Sequence, residues 1–596
     1  MRLLPALFIA AVISAQTATA TAGTNEDSHS TEWAVAYDWL CCHGMTTIPS
    51  DLKESDEQLQ DVIIFEDRRK TCFVIVLKEK HWDDVENPVV AYSTESSVRT
   101  NSVLTRFLRQ LKEQLHERHR KATAPPRQLP YKPKGTAVAP LLGNLQWGQH
   151  APYNHLAPTL LRNNKKAIIG CVPLAMAMVM NYHKWPQEGQ SHVYYQPDQA
   201  TYRMDFTQCK PQWDRYQKSY SRNDSVEANN LSQLLVAIGL AVDASFEEGS
   251  TSAKTMQIKH TLCNNLRYSG KLALRHNGLT MAECMAILYR EMDAGRPAIV
   301  TDQGHSFVCD GYDGDFLHFN FGWYGLCNGY YRLHLGKSSE ETTDSLSWLT
   351  NVIFGIEPEK IKKCEVALSK AGSLNSQLTE DEKENATELI IKGPLNSSDI
   401  KLIRKMAGAE DSAYFDSWWG GSLRHLDLTE ATIVNDKKPY LIQKATGSWW
   451  YVDGTTKRRT DWNFNNMNLP QWRDFKSKLG VEHDGFVYSR SDDDRYWMSF
   501  FCQKNVIGER MFADCSSLQD IQLPLSTKSI GSYAFIRCSS LQTMHVPPKV
   551  SEMGNKPFQD CLSLEKVEVP RGVQTHRDGT AANCSPVLKG IIRYKH

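Results

Sequence analysis

"NKKAIIGCVPLAMAMVMNYHKWP", residues Asn164–Pro186, carries a cysteine directly after a glycine and ahead of a run of good helix formers with an apolar face. Pro173 is tolerated only in the first turn of a helix, where its missing N–H would have no partner anyway. The spacing therefore predicts a helix that begins at or just before Cys171 and ends by Pro186. A thiol at a helix N-terminus sits where the macrodipole stabilises an anion, so its pKa is depressed. Backbone N–H groups there can also face a developing oxyanion. The competing assignment is a small buried core residue, the commonest fate of a free cysteine. The helix start alone does not separate the two.

A cysteine nucleophile needs a base, which in papain-type proteases lies roughly 130–150 residues downstream. His305 lies 134 residues after Cys171, in "VTDQGHSFVCDGYDGDFLHFNFGWYG". It sits in an apolar strand pattern directly after Gly304, where a peptide could approach the backbone closely. A lone histidine in a strand is more often a core residue, but the spacing, the preceding glycine and the aromatic-glycine run after it favour a base. His318 and His183 compete for the role. His183 is near the far end of the cysteine's own helix, too far along it to reach the thiol.

Outside this pair the composition excludes several classes. The chain has 596 residues, which sets a prior of two to four domains. Lys+Arg and Asp+Glu number 68 each, so net charge points to neither nucleic acid nor an anionic membrane. No apolar run long enough to span a bilayer occurs after the N-terminus, so no transmembrane segment is expected. "MRLLPALFIAAVISAQTATATAG" has Arg2, an apolar run from Leu3 to about Ile13, and Ala18-Thr19-Ala20 as a cleavage signal. It is expected to be a secretory signal peptide over 1–20. The product would then be secreted, to periplasm, cell surface or medium.

The 15 cysteines are an odd number, and Cys515, Cys538 and Cys561 recur every 23 residues, which is a repeat position rather than a disulfide framework. Few disulfides are expected, and with no His/Cys cluster at zinc spacing, no structural metal. Around those cysteines "IGERMFADCSSLQDIQLP" (from Ile507), "IGSYAFIRCSSLQTMHVP" (from Ile530) and "MGNKPFQDCLSLEKVEVP" (from Met553) align in register. Each unit reads as a turn, an inward Phe and Cys, then a short strand, and stacking would build a parallel sheet over ladders of Phe, Cys and Leu. "ATELIIKGPLNSSDIKLIRKMAG" and "SLRHLDLTEATIV" read as a degenerate earlier part of the array. The units resemble the short leucine-rich repeats of bacterial cell-surface and secreted proteins.

The two stretches "GCVPLAMAMVMNYHKWP" and "GHSFVCDGYDGDFLHFNFGWYGLCNGYYRLHLG" resemble the streptopain family of bacterial cysteine peptidases. The similarity covers about Trp147 to Glu359, with a weaker likeness of "FVIVLKEKHWDDVENPVVAYST" to that family's propeptide; the "CGSCW" signature of papain itself is absent. The resemblance implies a multidomain α+β chain: a papain-like cysteine peptidase domain, preceded by an α+β propeptide and followed by a leucine-rich-repeat solenoid. The expected boundaries are propeptide and linker 23–135, peptidase 136–360, linker 361–383 and repeats 384–596, with an insertion near 440–480. The proline-rich, basic "ATAPPRQLPYKPKGTAVAP" is the expected exposed linker, with "ATAPPRQLPYKPK" as the expected maturation site.

Carried over position by position, the resemblance implies Cys171 as nucleophile and His305 as general base and acid. Gln149, in "WGQHAPYN", becomes the side-chain oxyanion donor, and Asn320 and Trp323 of "HFNFGWYG" orient or shield His305. The family usually has tryptophan where this chain has Phe321. Ser252 and Gly304 match substrate-contacting positions. The implied activity is a secreted endopeptidase made as a zymogen, acting on proteins or peptides through a thiolate–imidazolium pair and a thioester, with no metal or organic cofactor. Its own propeptide would be an intramolecular inhibitor, and the repeats could bind a protein or cell-surface ligand. Two alternatives stand beside it. One is an adhesion protein with an inactive papain-like domain, acting through its repeats; the other is acyl transfer to an amine in place of water.

Overall fold

In the computed structural model the described residues are most of 30–444 and 486–575, with 592–595; the larger breaks within those spans are at 121–126, 196–201, 343–348 and 410–417. The expected signal peptide and nearly all of the expected insertion near 440–480 lie outside the described residues. The chain divides into two compact units, residues 1–267 with 272–358, and residues 268–271 with 359–596.

The first unit opens with α1 (Thr31–Cys42), capped by the Ser30 hydroxyl, which accepts from the Trp33 N–H. Four strands follow: β1 (Leu52–Glu54), β2 (Val62–Asp67), β3 (Phe73–Leu77) and β4 (Val89–Ser93). β3 reads "FVIVL" and is buried at all five positions, the pattern of a central strand covered on both faces. Helix α2 (Ser102–Arg120) carries the apolar residues Val103, Leu104, Phe107, Leu111 and Leu115 at helical spacing, and all are buried. After the short β5 (Ala137–Val138) come α3 (Cys171–His183), α4 (Asn229–Ala241), β6 (Ala273–His276) and α5 (Met281–Asp293). Five further strands follow: β7 (Ala298–Thr301), β8 (Ser306–Asp313), β9 (Phe316–Asn320), β10 (Gly329–Arg332) and β11 (Asn351–Phe354).

These strands form one antiparallel sheet in the order β1-β2-β3-β4-β10-β9-β8-β7-β11-β6, with β5 paired to β8. The N-terminal strands are therefore a continuation of the sheet that carries His305, joined where Tyr92 faces Tyr330 and Ala91 faces Tyr331. One buried cluster runs through both parts and includes Phe73, Leu104, Phe107, Met285, Phe307, Phe319 and Tyr331. Helix α3 packs against β8 and α4, which brings its N-terminus beside the start of β8.

The second unit is a parallel array. β12 (Lys363–Ala367) pairs with β13 (Glu388–Leu395), which leads into α6 (Ser397–Met406). The ladder then continues through β14 (His425–Asp427), β15 (Asp520–Gln522), β16 (Thr543–His545), β17 (Lys566–Pro570) and β18 (Ile592–Lys595). Phe512, Phe535 and Phe558 stack with ring centroids 5.5 Å apart at each step. The Cys538 and Cys561 thiols donate to the carbonyls of Phe512 and Phe535 in the preceding repeat, at 3.0 and 3.1 Å. A cysteine at this position both fills the core and adds a second donor to a carbonyl that already accepts a backbone N–H, from Cys515 or Cys538. In this array Cys502, Cys515 and Cys538 are free thiols.

Candidate active site

Cys171 is the first residue of α3, and Pro173 falls in its first turn. Gly170 before it has φ 90°, a left-handed backbone that glycine adopts without strain. A Cβ there would also stand 3.0 Å from the Thr251 methyl. The Thr251 hydroxyl donates to the Ile168 carbonyl at 2.8 Å and accepts from the Glu247 N–H at 3.0 Å, so this loop props the entry to the helix. Ser252, exposed, is the next residue, and its carbonyl accepts from the Ser245 N–H at 2.8 Å.

Cys171 is partly exposed as a residue, yet burial pushes its thiol above the usual cysteine pKa. Hydrogen bonds to the sulfur from Ser306 and from the N–H groups of Cys171 and Val172 oppose that rise. Ser306 directly follows His305 and opens β8, so the structure brings the thiol to the residue next to the expected base.

His305 is buried, 7% exposed. Its Nε2 lies 2.8 Å from the Phe321 carbonyl. A carbonyl only accepts, so Nε2 must carry the proton, and in the neutral ring Nδ1 is left with a lone pair. The Trp323 ring stacks on the imidazole at 4.4 Å, with Phe307 on a neighbouring side at 5.8 Å. The turn ahead of it is fixed by Asp302, which accepts from the N–H groups of Gly304 and His305 at 2.8 and 2.7 Å. Burial lowers the His305 pKa to about 4; the Phe321 carbonyl and Asp302 oppose this, and Arg106 adds to it. A raised thiol and a lowered imidazole hold both groups neutral in this state.

The lowering by Arg106 comes from the N-terminal segment. Arg106 on α2 donates from Nε to Asp302 at 2.7 Å, and its guanidinium would lie 3.7 Å from a Cβ at Gly304. Phe107 of the same helix meets Tyr331 edge-on at 5.2 Å. Leu104, Phe107, Phe321, Trp323 and Tyr331 line one narrow cleft between α2 and the aromatic wall beside His305.

The remaining expected residues fall around this centre. Asn320, at the end of β9, is buried; its amide donates to the Leu145 carbonyl at 2.7 Å and its oxygen accepts from the Gly322 N–H at 3.1 Å. Its side chain thus anchors the loop after β9 to the stretch before Gln149, and the bond to His305 comes from the next residue's carbonyl instead. Gln149 is half-buried in that stretch, and its backbone carbonyl accepts from the Ile169 N–H, two residues before Cys171, at 3.1 Å. Of the competing histidines, His318 is occupied by Asp310 at 2.6 Å. Burial lowers His183, at the end of α3, to about 4. Among the described residues no group of three or more His, Cys, Asp and Glu could hold a metal, and no helix is long and apolar enough to cross a membrane.

Sequence reasoning did not find Ser306, the Phe321 carbonyl, Arg106 or Asp302. Only Ser306 left a signal, as the polar residue after the histidine; a backbone carbonyl leaves none, and Arg106 and Asp302 are 196 residues apart.

Residues 147–331 match the Peptidase C10 family, and residues 505–594 match six copies of the BspA type leucine rich repeat region. The thiol protease/hemagglutinin PrtT of Porphyromonas gingivalis is 28% identical over 255 residues, which are 39% of this chain and 29% of that protein. Streptopain of Streptococcus pyogenes is 26% identical over 293 residues, 44% of this chain and 71% of that protein. A Prevotella intermedia prointerpain A fragment aligns with TM-score 0.43 and 22% identity, over 52% of this chain and 99% of that one. The segment that matches the Peptidase C10 family is therefore that of a cysteine-type peptidase, and it shares its chain with residues that match BspA type leucine-rich repeats.

Proposed function

We propose that this chain is a secreted cysteine endopeptidase made as a zymogen, with Cys171 as nucleophile and His305 as general base and acid. The observation that carries this is the meeting of two elements. A thiol at the start of α3 is bonded by the residue next to a histidine whose proton is fixed on Nε2, which leaves Nδ1 as the basic nitrogen. In the released enzyme, proton transfer from sulfur to Nδ1 gives thiolate and imidazolium. The thiolate attacks a peptide carbonyl, and the Cys171 N–H with the Gln149 side chain would hold the oxyanion. The imidazolium protonates the leaving amine, and the neutral ring then activates water against the thioester. Trp323 shields the imidazole, Asn320 holds the loop that supplies the Phe321 carbonyl, and Gly304 and Ser252 flank the path of the substrate backbone.

The zymogen assignment is supported by the N-terminal segment, which extends the sheet of His305 and sets Arg106 over Gly304. It would block the substrate path and hold the pair neutral. Tyr131 and the Lys134 N–H both donate to Asp293 at 2.8 Å, which supports a maturation site ahead of Tyr131. The repeat unit is proposed to hold protein substrates or a cell-surface ligand, and deletion after residue 362 should then slow cleavage of large proteins more than of short peptides.

The test is casein cleavage by protein beginning at Tyr131, with and without reductant, beside Cys171→Ala and an alkylated sample. Thiol-dependent cleavage lost in both controls supports the proposal. Cleavage that survives Cys171→Ala sinks it.

A further inference from the structure

Tyr324 stands one residue beyond Trp323, at φ 59°, in the left-handed region that costs a tyrosine strain and a glycine none. It is also 42% exposed, so core burial does not explain an aromatic ring at this place. Its contacts do. The ring lies so close to Gly148 that a Cβ there would fall 2.3–2.5 Å from three ring carbons. Its hydroxyl accepts from the His150 N–H at 3.0 Å, and its own N–H donates to the Trp147 carbonyl at 2.9 Å. Tyr153 meets the ring edge-on at 5.7 Å.

These contacts bracket one residue. Tyr324 grips Trp147, Gly148 and His150, and the only residue it spans without gripping is Gln149. A second hold on Gln149 is the Ile169 N–H on its carbonyl, from the segment entering the helix of Cys171. The loop after β9 thus serves both arms of the site. Its Phe321 carbonyl and Trp323 ring fix His305, while Tyr324 fixes the backbone on either side of Gln149.

The geometry points to Tyr324 as a positioning residue that sets the Gln149 side chain against the developing oxyanion, with Gly148 required as the flat surface on which its ring rests. This rests on the assignment of Gln149 as the oxyanion donor. A donor must be placed before the charge develops, because reorganisation at that moment costs rate. These contacts of Tyr324 are with the stretch around Gln149 and not with Cys171 or His305, so the proposed effect passes through Gln149.

The test uses the full chain, matured in trans by tagged wild-type enzyme that is then removed, and compares Gln149→Ala, Tyr324→Gly, Tyr324→Phe and the double variant Gln149→Ala/Tyr324→Gly. A fluorogenic peptide gives kcat and KM, and iodoacetamide gives the alkylation rate of Cys171. Alkylation develops no oxyanion, so it separates this role from general damage to the site. Gln149→Ala should lower kcat about 100-fold. Tyr324→Gly should lower kcat about tenfold or more, with KM and alkylation within about twofold of wild type. In the Gln149→Ala background it should add nothing. Tyr324→Phe keeps the ring and should lose only a few-fold in kcat, roughly one neutral hydrogen bond. Should Tyr324→Gly fold poorly, Gly148→Ala displaces the ring from the other side and should give the same signature.

A Tyr324→Gly enzyme with wild-type kcat overturns the proposal. So does a loss that multiplies with that of Gln149→Ala, or one that slows alkylation in parallel. If Gln149→Ala itself leaves kcat unchanged, the oxyanion assignment fails, and the positioning role fails with it.

Discussion

Replacing Arg106 with Gln should speed release of the N-terminal segment. Asp302 has no exposed side-chain surface and Arg106 is only 19% exposed, so solvent screens this ion pair weakly. Removing one partner of a buried pair costs about 3–5 kcal/mol when the other charge is left bare. Asp302 is not left bare, because its other oxygen keeps the N–H groups of Gly304 and His305. The cost is therefore smaller, about 2–3 kcal/mol as for a hydrogen bond to a charged group, or roughly 30- to 150-fold in the balance between held and released segment. The assay follows maturation of full-length protein under reducing conditions by gel and by peptide hydrolysis. Arg106→Gln should mature at least tenfold faster, and Arg106→Lys, which keeps the charge but loses the fork, should fall between it and wild type. A maturation rate for Arg106→Gln within about twofold of wild type would refute the reasoning, because the pair would then hold nothing that limits release.

Three further outcomes follow from particular contacts. His305, His183 and His260 are each lowered by burial to about 4, below the unfolded value near 6.5. The unfolded chain then binds more protons between those values, so stability present above pH 6.5 is lost as pH falls toward 4. Thermal melts of the Cys171→Ala chain should show this, with a shallower slope once His305→Phe removes one titrating site. In full-length protein, iodoacetamide should label Cys171 at least about tenfold more slowly than in protein beginning at Tyr131, because Arg106 of the segment disfavours the His305 imidazolium that must take the thiol's proton. Phe535 is fully buried and stacked on both sides, so Phe535→Ala should destabilise the repeats by about 3–5 kcal/mol in urea melts and leave short-peptide hydrolysis unchanged.

How far the sequence could be read differs by element, and the reason is physical. The start of α3 was legible because Gly170 and Pro173 on either side of Cys171 each carry a local backbone signal, and local signals survive in one dimension. The repeat array was legible because each unit makes the same contacts with its neighbour, so Phe512, Phe535 and Phe558 had to recur. The partner of His305 was not legible. Asn320 was the side chain expected there, but the group that meets the imidazole is the Phe321 carbonyl, which any residue at 321 would supply. The contacts of Tyr324 were hidden for a related reason, since its left-handed backbone is set by tertiary packing rather than by its residue type. The join between β4 and β10, and the Arg106–Asp302 pair, unite positions more than 190 residues apart with no shared pattern to reveal them.

The central claim is that Cys171 and His305 exchange a proton, and the most direct test is the pH dependence of Cys171 alkylation in protein beginning at Tyr131. With the N-terminal segment gone, the account predicts a plateau of high reactivity through neutral pH, bounded below by formation of the ion pair and above by loss of the His305 proton, and it predicts that His305→Ala abolishes the plateau. A single rise near pH 8.5, the same with and without His305, would show an ordinary cysteine and contradict the account.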